Sequence, residues 1–243
     1  AGWRATYAGV GVFVLATMLP LALLLRRPPP AHHAAAPGAR ARTGPASPEA
    51  LGLSGSALQL LLVVAGVACC VAMAMPQVHI VAYCGDLGYG PARGAQMLSL
   101  MLACGIVSRI TFGFISDRVG GLRTLLLGST LQCVALALFL PFDGLVSLFV
   151  ISGLFGLFQG GIVPSYAIIV REYFPPGEAG ARIGLVIMAT LVGMALGGWA
   201  SGAIFDLTGG YRAAFVHGIA WNLVNLSIAW WLISRARARP APA

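Results

Sequence analysis

Apolar residues run in seven blocks, and each block gives way to a polar turn carrying Gly, Pro or Arg. The blocks are Thr6–Leu25, Leu58–Tyr83, Gly94–Ile115, Leu122–Leu140, Leu145–Val170, Ile183–Phe205 and Ala213–Ile233, spans one to seven. A helix needs roughly 20 apolar residues to cross a hydrocarbon core ~30 Å thick, and all seven blocks are of that order. In hydrocarbon a segment of this length satisfies its backbone only as a helix or within a closed barrel, and these runs show no alternation of apolar and polar positions. The pattern predicts an all-α membrane protein, a polytopic helical bundle. The one long connection, Arg26–Ser56, opens RRPPPAHHAAAPGARARTGPASPE. It is rich in Pro and Ala, has no apolar period, and is expected to be an extended or disordered linker.

Composition sharpens this picture. Hydrophobic residues make up 58% of the 243 positions and charged residues 9%, against about a quarter charged in an ordinary soluble domain. The net charge is +8, and arginine supplies all of the positive side chains. These arginines cluster at span ends, where they act as topology signals, so nucleic acid is not an expected partner. With the linker placed in the cytoplasm, eleven arginines fall on that side and three on the other. This bias predicts an external amino end and a cytoplasmic carboxyl tail, RARARPAPA. The five cysteines lie in or beside apolar runs without metal-ligand or redox spacing, so neither a metal nor a cofactor is expected. The His32–His33 pair in the linker is an isolated loop pair.

A single cation, Arg109, lies inside an apolar run. An arginine at the centre of a spanning helix costs about 3 kcal/mol on insertion scales, so it commonly faces a wet cavity or a partner. Eight residues separate it from Asp117, about 12 Å of helix at ~1.5 Å per residue, which places it near the bilayer midplane. A guanidinium offers a planar fork of donors matched to a carboxylate and stays charged at any usable pH. Binding an anionic substrate is the functional reading; the structural one is an arginine that reaches the interface or bonds backbone carbonyls. Gly105 and Gly113 flank it at i−4 and i+4, leaving that face open to a ligand or a helix.

Span three ends GFISDRVGGLR. With Gly113, Asp117, Arg118, Gly120 and Arg123, this string resembles the cytoplasmic signature of the major facilitator superfamily, G-x-x-x-D-R-x-G followed by basic residues. Gly121 and Leu122 stand where an adjacent basic pair is usual. The resemblance implies that the five matching residues form a gate element, latching one conformation through the opposite half of the protein. It also implies that spans two to seven are the carboxyl-terminal six helices of a twelve-helix fold, and that span one is the last helix of the other half. The implied organisation is residues 1–25 as that helix, 26–56 as a cytoplasmic linker, 57–234 as the six-helix bundle and 235–243 as a basic tail. The chain is accordingly expected to be part of a longer protein. A repeat agrees with duplicated halves: GWRATYAGVGVF at Gly2 matches GYRAAFVHGIAW at Gly210.

MPQVHIVAYCGDLG, VSRITFG and REYFPPGEAGARIG resemble the monocarboxylate-transporter and oxalate/formate-antiporter branch. There an arginine at the position of Arg109 binds the substrate carboxylate, which implies a small organic anion as substrate, with protons or a counter-anion as coupling species. Gly105 stands where animal members carry an aspartate. His79, three residues after Pro76, is a candidate proton or substrate contact, the alternative being a neutral histidine bonded to a nearby carbonyl. Gln159 is a candidate cavity-lining amide, the alternative being a helix-to-helix hydrogen bond. Gly153, Gly156, Gly160 and Pro164 share one face of span five. Gly193, Gly197 and Ser201 form one stripe of span six, and Gly198 and Gly202 another. The small residues of span five permit close helix packing or bending, and those of span six are expected to be packing seams.

No cluster of nucleophile, base and acid lies within the spans, and an enzyme is not expected. The expected function is a secondary carrier of organic anions in a bacterial-type inner membrane. The competing reading is an efflux carrier of drugs or metabolites in which Arg109 is structural.

Overall fold

The structure, a computed structural model, describes residues 3–24 and 47–238, and the regular elements among them are all helical. The chain divides into two compact units, Ala1–Gly44 and Pro45–Ala243. The first contributes one long apolar helix, α1 (Trp3–Leu24), whose described side chains are nearly all exposed. Most of the linker, the His32–His33 pair and the last five residues lie outside the described residues. The end of the linker is ordered: Pro48–Leu51 forms a 3₁₀ turn, and Leu51 is buried.

The second unit is a bundle of α2 (Gly55–Asp86), α3 (Pro91–Val119), α4 (Gly121–Leu138), α5 (Leu145–Gln159), α6 (Ile162–Tyr173), α7 (Pro176–Thr208) and α8 (Tyr211–Ala238). Span by span the expected helices are present, most of them longer than the apolar run alone. Span five differs, because two helices stand where one was expected. The break falls at Gly160–Gly161, inside a run whose hydropathy does not change, and α5 with α6 still makes a single apolar crossing.

Helix α2 is the most buried element and packs on α7 and α8, while α3 packs on α5, and α4 on α8. Small residues set these distances. A Cβ added at Gly193 or Gly197 of α7 would stand 2.5 Å from a backbone oxygen of α2, Val67 O or Val71 O respectively. The α2–α7 contact is therefore a backbone-to-backbone seam that tolerates no side chain on those two positions. Gly198 and Gly202 face Val78 and His79 across the same interface at 3.4 and 3.5 Å. The α3–α5 contact is equally close: a Cβ at Gly156 would collide with the Met101 carbonyl. Gly153 is looser, with Leu100 Cδ2 at 3.6 Å.

Candidate functional site

An open cleft of about 490 Å³ lies on the bundle, walled by α2, α3, the α5–α6 break and α7. Helix α3 supplies Arg109, with Gly105, Leu102 and Ile106 on the same face; α2 supplies Cys70, Met73 and Gln77. Gln159 and Gly160 come from the break, and Thr190, Leu191 and Met194 from α7. Most of this lining is apolar. Its polar groups are one guanidinium, two amides and a hydroxyl.

The position of Arg109 follows from the break in span five. Gly160 sits against α3 so closely that a Cβ there would stand 2.6 Å from Gly105 O and 2.7 Å from Ser108 Cβ. A Cβ at Gly161 would overlap the Phe112 ring. The broken helix thus grips α3 on the residues that bracket Arg109, and a side chain at either glycine would push α3 away. Arg109 itself is exposed to the cleft, and no described residue accepts a hydrogen bond from it or pairs with its charge.

Gln77 Nε2 donates to Gln159 Oε1 at 2.7 Å, tying α2 to α5 across the cleft. The bond leaves the Gln77 carbonyl and the Gln159 amide hydrogens for another partner. Gln159 therefore makes a helix-to-helix bond and lines the cleft at once. Thr190 turns its hydroxyl back onto Ile187 O at 2.7 Å, and so presents oxygen lone pairs rather than a free proton. Sequence reading did not single out Gln77 or Thr190. For Gln77 the available signal was an amide one residue after Pro76 in an otherwise apolar helix.

His79 lies elsewhere. Its Nε2 is 2.9 Å from Gly198 O, and its ring stands 6.2 Å from the Tyr211 ring, on the α7–α8 side of α2. It is not among the residues lining the Arg109 cleft. His217 accepts a hydrogen bond from Trp221 Nε1 within α8 at 3.0 Å.

The signature string forms the α3–α4 turn. Gly120 has φ +85°, a left-handed value that lets α4 begin at once after α3 ends. Asp117, Arg118 and Arg123 are exposed and pair with no described residue, and a Cβ at Gly113 would meet nothing within 4 Å. The acid that does reach this turn is Glu172 at the end of α6: its Oε1 accepts from Gly121 N–H at 2.9 Å and satisfies one orphan donor of α4.

Among the described residues seven helices are long and apolar enough to cross a membrane, one carrying Arg109 toward the cleft and one crossing broken at glycine, as expected of an integral membrane protein of the facilitator type. The Major Facilitator Superfamily model matches residues 1–150 and 86–243, and the chain belongs to that family. It is 36% identical over 156 residues to monocarboxylate transporter 13 of Rattus norvegicus, covering 63% of this chain and 36% of that protein. It is 28% identical over 224 residues to the uncharacterized MFS-type transporter YcxA of Bacillus subtilis (strain 168), covering 87% of this chain and 52% of the relative. Probable anion transporter 5 of Arabidopsis thaliana is 27% identical over 147 residues, 58% of this chain and 34% of the relative. The chain thus spans about a third to a half of the length of the curated relatives it matches. Within the superfamily its sequence is monocarboxylate-transporter-like.

Proposed function

We propose that the chain forms one wall of a secondary carrier for small organic anions, monocarboxylates foremost, working by alternating access of two helical bundles around Arg109. The observation behind the reading is a guanidinium facing a cleft of about 490 Å³ with no acceptor for it among the described residues. A cation within a spanning helix, lining a cleft and without a partner among the described residues, favours an anion from outside. The free valences of Gln77 and Gln159 suit a second polar group on the substrate. Met73, Leu102, Ile106 and Met194 suit a short hydrocarbon part. Relatives whose names include monocarboxylate and anion transport support the substrate class.

Residues 57–234 form the carboxyl-terminal bundle in this reading. Residues 1–25 close the other bundle, 26–56 join the two in the cytoplasm, and 235–243 are a cytoplasmic tail. The membrane is a bacterial-type inner membrane. Asp117 and Arg118, exposed and unpaired here, latch against the opposite bundle in one of its two states. None of the cleft-lining residues is Asp, Glu or His, which favours exchange of one anion for another over proton transfer within this wall. The same unpaired state of Arg109 weighs against the efflux reading, which needs a structural partner for it.

Uptake into proteoliposomes by the protein containing both bundles tests the proposal. Small monocarboxylates should be taken up, Arg109→Gln should abolish uptake, and the 243-residue chain by itself should carry nothing. Transport of a neutral hydrophobic compound that survives Arg109→Gln, with no monocarboxylate uptake, would establish the efflux reading instead.

A further inference from the structure

Where α3 turns into α4, two arginines from different helices face one pocket of about 320 Å³. Arg123 comes from the first turn of α4 and Arg237 from the last turn of α8; Gly120, Glu172, Tyr173 and Ile233 complete the wall. Neither arginine has an ion-pair or hydrogen-bond partner among the described residues. Glu172 is the one carboxylate on the wall, and its Oε1 is engaged by Gly121 N–H. Two cations therefore face one carboxylate, whose Oε1 is engaged by Gly121 N–H, and the wall keeps an excess of positive charge.

A second recess of about 310 Å³ runs along α8 between Trp230, Ile233, Ser234 and Arg237. Its surface is almost wholly apolar. Ile233 and Arg237 line both recesses, so the charged pocket and the apolar groove lie side by side along α8. Neighbouring Arg235 is held by the protein, its guanidinium 4.3 Å from the Trp231 ring and its Nη1 3.5 Å from Gly52 O. Among the described residues, Arg237 is thereby the free cation at the end of α8. None of these residues lines the Arg109 cleft, although Gly120 and Arg123 also belong to the signature string.

A cationic pocket beside an apolar groove, at the end of spanning helices, matches a ligand with an anionic head and a hydrocarbon tail. We propose that it binds an anionic phospholipid, the phosphate between Arg123 and Arg237 and one acyl chain over Trp230 and Ile233. Guanidinium donors suit phosphate oxygens, and each arginine near a bilayer surface adds to anionic-lipid affinity. A zwitterionic lipid carries its own cation and gains less from the pair. A free phosphate leaves the groove unused.

Tryptophan quenching reads this out. The protein containing both bundles, in phosphatidylcholine nanodiscs, is titrated with phosphatidylglycerol bearing brominated acyl chains, beside brominated phosphatidylcholine. The anionic lipid should quench at about tenfold lower mole fraction, and Arg123→Gln with Arg237→Gln should erase that advantage. Trp230→Phe should remove the excess quenching, whereas Arg212→Gln, at the opposite end of α8, should leave the titration unchanged. Equal quenching by the two lipids overturns the proposal, as does an advantage that survives the double arginine variant. Loss of the excess quenching to competing inorganic phosphate also overturns it, marking a free-phosphate site. If the double variant does not fold, the wild-type lipid comparison and Trp230→Phe still decide between these outcomes.

Discussion

Two polar clusters sit back to back in this bundle, divided by α2, and they are finished in opposite ways. On the α4–α6–α8 side, Tyr166 OH donates to Asn225 Oδ1 at 2.8 Å, Asn225 Nδ2 donates to Ser129 Oγ at 2.7 Å, and Asn222 Nδ2 donates to Ser129 O at 2.9 Å. Gln132 reaches the Cys69 carbonyl at 3.4 Å. All of these side chains are fully buried. On the other side, Arg109 has no partner, and Gln77 and Gln159 keep valences free. Adjacent residues of α2 face the two: Cys69 belongs to the closed network and Cys70 to the cleft. Polarity in an oily bundle is thus no sign of function by itself. On the first side Asn222 Oδ1 alone among these named groups is buried without a partner; a cluster whose donors are bonded within it fixes helix positions, and a cluster left incomplete around a charge is available to a ligand.

Substitutions can break or sharpen this contrast. The largest expected effect is Arg109→Gln, which should weaken monocarboxylate binding about 100-fold, as loss of a charge-assisted contact worth roughly 3 kcal/mol implies. Its melting temperature should barely move, because no protein bond is lost. Equilibrium binding and scanning fluorimetry together check both halves. Next, Gly160→Val should push α3 off the broken helix, costing about 2 kcal/mol of stability and at least tenfold in binding, since overpacking and misplacement act together. In the closed cluster, Asn225→Ala strands Tyr166 OH and should cost about 1–2 kcal/mol of stability, with affinity within about twofold of wild type. Gln77→Leu should weaken binding about fivefold and, through the lost bond to Gln159, cost about 1 kcal/mol of stability. Smallest is His79→Phe: with its ring toward Gly198, it should change anion affinity by less than about twofold. A large loss of binding in Asn225→Ala, with Arg109→Gln neutral, would reverse the roles assigned to the two sides.

The sequence made the spans plain, because length and hydropathy decide them and tertiary context hardly enters. It did not show the interruption at Gly160–Gly161. Hydropathy is continuous from Leu145 to Val170, and the break depends on how closely α3 approaches, which no single-helix pattern contains. Arg109 stood out as the one cation in an apolar run, and the structure places it with Gln159 on one cleft. Gln77 gave no pattern of its own; its meaning depends on the rotation of α2 relative to α5. The closed network escaped notice for the same reason, since Ser129, Tyr166, Asn222 and Asn225 are lone polar residues on three helices until the bundle assembles. Glu172 lay in the quoted string REYF, and its partner, Gly121, is distant in the chain.

The central claim is that water and anions reach the face of α3 that carries Arg109. Cysteine labelling tests it most directly, with Ile106→Cys, one helical turn from Arg109 on the cleft wall, introduced into the protein containing both bundles. A charged, membrane-impermeant thiol reagent should modify this variant well above the wild-type background of native cysteines. A monocarboxylate should slow the modification, and adding Arg109→Gln should remove that protection. Failure of the reagent to reach position 106, or protection that persists without the arginine, would contradict an anion site built on Arg109.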